Sequence, residues 1–354
     1  MKSTHPADAY TPCAELWVIT TYYNPAHYRT KRENYERFAA PIRAAGIPLV
    51  TVECAFEEEP FELAGGPEII QVRGRDVMWM KERLINLAIA RLPSHVTKVA
   101  WLDADILFEN PAWAIRTAEL LDRCPLVQPH DRVGRMARDR LSFSGRTRRS
   151  FACQFQRRPE SARLGGAAHG QPGIAWAARR EIIAQHGLYD AAIIDGGDEL
   201  FAHAAGGGLN APCVRGITGA YQRHRPRPLT IVLNRLLRIP WPRCFAGWWL
   251  ARTETPPTSA ADERFFAHFL EWARRLSADV QGKIGCVPGT ALHLWHGDPV
   301  NRQYASRNAI LRRNAFDPAS DLLLNDDGIW EWASDKPEMH RDLQEYFSAR
   351  REDE

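Results

Sequence analysis

Short apolar runs alternate with helix-periodic stretches along the first third of the chain. Leu16-Trp17-Val18-Ile19-Thr20-Thr21 is an unbroken, largely apolar run of strand length, and predicts a strand buried on both faces. The polar stretch from Tyr28 to Ala45 predicts a helix, closed by Gly46-Ile47-Pro48. Leu49 to Glu53 and Ile69 to Val72 predict a second and a third strand. Between Trp79 and Leu92, apolar Met80, Leu84, Ile85, Leu87, Ala88 and Leu92 recur at helical spacing, and Pro93 ends the pattern. Val99 to Leu102 predicts a fourth strand ending at Asp103, and Pro111 suits the first turn of a helix reaching Leu121. This β-α-β-β-α-β-α order implies an α/β fold with a largely parallel sheet covered by helices. Ligands of such sheets bind beyond the carboxyl ends of the strands, where Tyr22, Glu53 and Asp103 are expected. Later patterns predict helices near Arg179–His186, Glu199–Ala205, 262–278 and 301–313, a strand at Thr290–Leu294, and a frayed charged tail from Ala349.

Composition narrows the class. At 354 residues, 45% hydrophobic and 25% charged, the chain can bury an ordinary globular core. A net charge of +3 gives no whole-chain signature of a nucleic-acid partner. Seven cysteines, an odd number with no C-x-x-C pair, speak against a disulfide framework or a structural zinc site and for a reducing cytoplasm. The first residues lack a basic stretch followed by an apolar one, and no apolar run of membrane-spanning length occurs.

The strongest chemical signal is Val99-Ala100-Trp101-Leu102-Asp103-Ala104-Asp105-Ile106-Leu107-Phe108. Residues i and i+2 of an extended chain point the same way, so both carboxylates can face one divalent cation. Mn²⁺ and Mg²⁺ are hard ions that prefer oxygen ligands, and either can bridge a diphosphate and neutralise its charge as it leaves. A surface turn carrying two acids is the plainer alternative.

With that motif the chain resembles a nucleotide-diphospho-sugar transferase of the GT-A fold, family 2-like, over roughly residues 15–310. The resemblance implies a Rossmann-like, mostly parallel twisted sheet flanked by helices. It implies a divalent metal and a nucleotide-sugar donor, expected to be UDP-linked. Thr20-Thr21-Tyr22-Tyr23-Asn24-Pro25 resembles the loop that holds the nucleotide base, so Thr20, Tyr22 and Asn24 become donor contacts. Glu53 sits where the family often places a base-contacting acid. Lys81-Glu82-Arg83-Leu84-Ile85-Asn86 resembles the helix facing diphosphate and ribose, with Arg83 and Asn86 three apart on one face. Asp103 and Asp105 match the metal-diphosphate motif. Gly170 to Ala177 resembles the strand beneath the acceptor, with Trp176 either a sugar platform or core. Ile194-Asp195-Gly196-Gly197-Asp198-Glu199 resembles the segment carrying the catalytic base of inverting members. Asp198 is the first candidate for that base and Glu199 the second, and either acid also suits a helix N-terminus. His293-Leu294-Trp295-His296-Gly297 resembles the segment giving a histidine to the metal, with His296 ahead of His293. Arg302 follows where it can meet a phosphate.

Two cationic stretches complete the reading. Residues 131–165 hold ten arginines against three acids, and residues 200–253 hold eight with none. Arginine-rich segments bind phosphates of an acceptor, anionic lipid or nucleic acid. Residues 229–251 suit an amphipathic segment on a membrane surface, or equally a helix packed on the domain. The expected organisation is an extension over 1–14, then a GT-A domain over 15–314, then an extension over 315–354. Within the domain, a nucleotide-sugar half (15–130) and an acceptor half (166–314) carry Arg-rich insertions near 131–165 and 215–252. The expected acceptor is a glycan, a lipid-linked sugar or a small molecule, with modified bases of nucleic acid as an alternative. A non-catalytic nucleotide-sugar binder is the competing class. A nucleotidyltransferase is disfavoured because the loop after the first strand lacks glycine. The expected location is cytoplasmic, with peripheral contact at a membrane surface as the extension of that reading.

Overall fold

The computed structural model describes residues 9–220, 258–304 and 306–354. The segment 229–251 therefore lies outside the described residues. In chain order the first elements are β1 (Leu16–Tyr22), α1 (Arg29–Ala44), β2 (Leu49–Phe56), β3 (Ile69–Gly74), α2 (Lys81–Arg91), β4 (Lys98–Leu102), β5 (Ile106–Phe108) and α3 (Trp113–Leu121). There follow β6 (Leu126–Gln128), β7 (Arg132–Met136), β8 (Phe143–Arg149), α4 (Phe151–Arg157), β9 (Ala175–Arg179), α5 (Arg180–His186), α6 (Gly197–Ala205) and α7 (Pro212–Ile217). The last group is α8 (Ala260–Val280), β10 (Ile284–Cys286), β11 (Thr290–His293), α9 (Asn308–Arg313), α10 (Pro318–Asp321), β12 (Leu322–Leu324), β13 (Trp330–Trp332) and α11 (Pro337–Ala349).

The fold is mixed α/β, with a mostly parallel seven-stranded sheet ordered β10-β6-β9-β4-β1-β2-β3 and flanked by helices. Only β9 runs antiparallel to its neighbours, between β4 and β6. Both sheet faces are covered, which is why the strands read as apolar runs. Alternation along β1 sends Leu16 and Val18 to the side of α1 and α3, with Phe38, Ile42 and Trp113. Ile19 goes to the other side, with Leu84 and Ile85 of α2 and with Trp101. Trp176 belongs to that second layer: it is fully buried against Phe201, and its indole N–H donates to the Pro172 carbonyl. It is core and not a sugar platform.

A second sheet, ordered β5-β11-β7-β8, stands beside the first. The Arg-dense stretch 131–165 is thus a folded hairpin, β7 and β8, followed by α4, and its register slips between Gly134 and Met136. The stretch expected as one helix over 301–313 is a 3₁₀ turn at Pro299–Arg302 followed by α9. Strand β2 runs past Glu53 to Phe56, so Glu53 is paired within the sheet, opposite Tyr22 on one side and Gln71 on the other.

The C-terminal end is not frayed. Helix α11 docks Phe347 on Trp79 and Tyr23, and Asp353 accepts the backbone N–H groups of Arg29 and Thr30 at the start of α1. Tail residues Arg350 and Glu352 are buried. A run of charges at a terminus reads as solvated, but here Arg350 and Glu352 pair with each other and line the cleft described next, while Arg351 and Glu354 stay exposed. No helix of the described residues is long and apolar enough to cross a membrane.

Candidate active site and metal centre

A cleft of about 530 Å³ opens beyond the carboxyl ends of β1 and β4. Its walls come from the β4–β5 turn, the N-termini of α2 and α6, the β7–β8 hairpin, strand β11 and the C-terminal tail. Pairing places its first cluster: His293 of β11 sits opposite Ile106 of β5, and Leu294 N–H donates to the Asp105 carbonyl at 2.8 Å. Three residues on, His296 faces the same carboxylate, just before the chain turns at Gly297, φ +82°.

Asp105, His293 and His296 have one ligand atom each within 4.8 Å of one another. His296 Nε2 is 3.2 Å from Asp105 Oδ2 and 2.9 Å from His293 Nε2, and His293 Nε2 is 3.4 Å from Asp105 Oδ1. Asp105 Oδ1 is buried with no hydrogen-bond partner among the described residues. Two imidazoles and a carboxylate around an orphaned buried oxygen fit a divalent cation such as Mn²⁺. Burial, reinforced by the Arg302 guanidinium against its ring, pushes His296 down to about 4 despite Asp105 and Glu352 nearby, so its imidazole is neutral at pH 7. Burial pushes the Asp105 carboxyl up, but His296, His293 and Arg302 outweigh it and hold it below the usual carboxylate range. Glu352 Oε1 lies 3.6 Å from His296 Nδ1 and 2.6 Å from Arg350, a carboxylate placed to orient the ring from behind.

Asp103 does not join this cluster. Its Oδ1 is 2.5 Å from Lys81 Nζ, whose other partner is Asp198 Oδ2 at 2.8 Å. Burial raises the Asp103 carboxyl to about 6, against the pull of Lys81 and with Asp198 and Asp105 adding to the rise. Burial works against the Lys81 ammonium, but Asp103, Asp198 and Glu82 outweigh it and raise its pKa. Gly173 makes room for Asp198: a Cβ there would stand 2.7 Å from its Oδ2. Asp195, φ +81°, and Ile174, φ +86°, also line the cleft in backbone conformations that L residues rarely adopt. Such strain concentrates at functional sites. Arg307 pairs with Asp195, whose carboxyl burial would raise but Arg307 and Arg350 lower. Glu199 faces the cleft 3.9 Å from His169, and burial raises its carboxyl to about 7.

The remaining expected contacts divide. Tyr22 lines the cleft and a neighbouring cavity of about 170 Å³, which Asn24 and Glu53 also line. Asn24 and Tyr22 both donate to Glu62, and Glu53 accepts the N–H groups of Glu62 and Leu63 and the Gln71 amide. Thr20 is a buried tie from β1 to the Leu102 carbonyl and does not reach the cleft. Arg83 and Asn86 turn away from it: Arg83 binds Asp190 at 3.1 Å, while Asn86 donates to Leu188 O and Asp190 and accepts from Leu188 N–H. Those two share a helix face, but Lys81 is the residue of α2 that enters the site. Lys81, the cleft residue Lys31, and the tail pair Arg350 and Glu352 had not been singled out.

Beside this cleft, His169, His203 and Cys213 form a second group with ligand atoms within 4.8 Å. Burial pushes the Cys213 thiol up to about 12.

No protein-family model and no curated protein matches the sequence. Among solved structures, the catalytic domain of Drosophila β1,4-galactosyltransferase 7 in complex with xylobiose aligns over 54% of this chain and 60% of that one, at 14% identity and a TM-score of 0.28. A mutant of the same enzyme, complexed with manganese, UDP-Gal and xylobiose, aligns over 52% and 59%, at 14% and 0.27. This chain therefore spans about 60% of the length of those structures. Likeness at that level carries no argument about activity, and the reading below rests on the cleft.

Proposed function

We propose that the chain is a metal-dependent glycosyltransferase of GT-A type, moving a sugar from a UDP-linked donor to an acceptor hydroxyl with inversion. The observation that carries this reading is the Asp105, His293 and His296 cluster at the end of β4, facing a cleft lined by Lys31, Arg135, Arg148, Arg302, Arg307 and Arg350. Cationic side chains on several walls suit a diphosphate, and the volume suits a nucleotide sugar. A divalent cation held by the three ligands supplies charge neutralisation for the departing diphosphate.

The chain's own residues do the rest. Arg302, whose guanidinium donates to the His296 carbonyl and lines the cleft, is the side chain proposed to meet a diphosphate held at the cluster. Tyr22 and Asn24, at the neighbouring cavity, border the space proposed for the nucleoside. Asp198 is the proposed base: it takes the proton of the acceptor hydroxyl as that oxygen bonds to the anomeric carbon. The bond from that carbon to the diphosphate oxygen breaks, and its electron pair leaves with the nucleoside diphosphate. Lys81 of α2 holds Asp198 of α6 and Asp103 at the end of β4 in place.

The test needs no acceptor. Purified protein is given UDP-sugars with Mn²⁺, and water serves as the slow acceptor. The anomer first released is read by NMR. Metal-dependent release of the inverted anomer supports the reading. Release that ignores metal sinks it, and release of the retained anomer removes Asp198 as base.

A further inference from the structure

The three ligand atoms of His169, His203 and Cys213 come from separate elements: the 3₁₀ turn Gly166–His169, helix α6 and helix α7. His203 is fully buried, and its Nδ1 faces the Ala162 carbonyl at 2.6 Å. That contact places the ring proton on Nδ1 and leaves the Nε2 lone pair aimed at Cys213 Sγ, 2.9 Å away. Metal-bound histidines are held in this way, with the far ring nitrogen donating to a carbonyl. Packing enforces the arrangement, because a Cβ at Gly208 would stand 1.8 Å from Ala162 O and 2.9 Å from His203 Nδ1. His169 is 1% exposed, and neither of its ring nitrogens has a hydrogen-bond partner among the described residues. A buried imidazole with both nitrogens unsatisfied is destabilising unless something fills the gap. Its ring stands 4.9 Å from that of His203, edge to face.

We propose that His169, His203 and Cys213 bind a zinc(II) ion, with Glu199 as the fourth ligand, and that the ion pins the wall of the cleft that carries Asp198. This site is separate from the Asp105 cluster and does not depend on the activity proposed above. One thiolate and two imidazoles select a borderline-soft cation over Mn²⁺ or Mg²⁺. Thiolate and Glu199 carboxylate together balance the ion's two charges, as a buried site requires. Glu199 Oε1, 3.9 Å from His169 Nε2, is the carboxylate beside the group. Tetrahedral zinc holds sulfur and nitrogen ligands about 3.5 Å apart, so Cys213 and His203 must separate by roughly 0.6 Å as the ion enters and the thiol proton leaves to solvent. No C-x-x-C pair marks such a site, and His169 joins it from a separate element upstream of α6, although Glu199 and His203 are four residues apart on that helix.

Wild type, Asp105→Ala, Cys213→Ser and Glu199→Gln are prepared free of metal and titrated with Zn²⁺ and with Co²⁺. The expected result is two zinc equivalents in wild type, one at each cluster, and one in Asp105→Ala, held by His169, His203 and Cys213. Their cobalt forms show a near-ultraviolet sulfur-to-cobalt charge-transfer band, absent in Cys213→Ser. Glu199→Gln weakens zinc by about tenfold or more. Wild type without the band, or a band that survives Cys213→Ser, overturns the site. Unchanged affinity in Glu199→Gln overturns the fourth ligand. The wild-type cobalt spectrum decides the matter alone if Cys213→Ser fails to fold.

Discussion

Lys81→Met keeps the length of the side chain and removes its charge. In the native cleft Lys81 Nζ lies 2.5 Å from Asp103 Oδ1 and 2.8 Å from Asp198 Oδ2, and the residue is 8% exposed. Without it, two largely buried carboxylates face each other uncompensated. Removing one partner of a buried pair costs about 3–5 kcal/mol. The carboxylates temper this loss by binding protons, so we take ~3 kcal/mol at pH 7.5. Unfolding entropy of ~2.1 cal/mol/K per residue over 354 residues gives ~0.7 kcal/mol/K, so Tm falls by ~4 °C. The pH dependence has a definite sign. Burial already raises Asp103 to about 6, and loss of the Lys81 charge raises it further. Carboxyls with raised native pKa values penalise the fold above their unfolded value of about 4, and the penalty fades as they bind protons. The deficit of Lys81→Met against wild type therefore shrinks between pH 7.5 and pH 5. Urea unfolding of both proteins at the two pH values measures it. A deficit below ~1 kcal/mol at pH 7.5 would match an exposed ion pair and refute the buried-bridge argument, as would a deficit independent of pH.

Asp198→Asn should lower kcat by about 10²–10⁴ while nucleotide affinity holds, measured by donor hydrolysis beside calorimetry; an equal fall in affinity would make Asp198 a binding residue. Deletion of residues 350–354 removes Glu352 from behind His296, so Mn²⁺ affinity at the Asp105 cluster should drop by about 10–100-fold; unchanged affinity would reduce the tail to packing. His130 is fully buried, neither ring nitrogen has a hydrogen-bond partner among the described residues, and burial pushes it down to about 3. The unfolded chain takes up a proton near pH 6.5 that native His130 refuses, so stability should fall as pH drops below that point, by up to ~1.4 kcal/mol per unit. In His130→Leu that part of the slope should vanish, and an identical slope would exclude His130 as its source.

Much of the sheet was legible because both of its faces are covered. Strands β1 and β4 and helix α2 follow apolar runs and helical spacing almost to the residue. Asp105, His293 and His296 were legible as chemistry, and strand pairing brings them together. Helix α2 marks the limit of periodicity. It tells which residues share a face, as Arg83 and Asn86 do, but not which face looks into the cleft, and Lys81 does so from the first turn. Glu53 was expected free at a strand end, yet its carboxylate is spent on the loop at Glu62 and Leu63. The β7–β8 hairpin hid among arginines because one of its faces is solvated. The tail failed for a related reason: the burial of Arg350 and Glu352 depends on partners some fifty or more residues away, such as His296, and no local pattern records that.

The central claim is that the Asp105 cluster holds a divalent cation that in turn holds a nucleoside diphosphate. The most direct test is calorimetric titration of UDP into wild type and Asp105→Ala, each with and without Mn²⁺. The account predicts binding by wild type that tightens sharply with Mn²⁺, and no Mn²⁺ effect in Asp105→Ala. Equal UDP affinity in all four titrations, or a full Mn²⁺ effect in the variant, would contradict it.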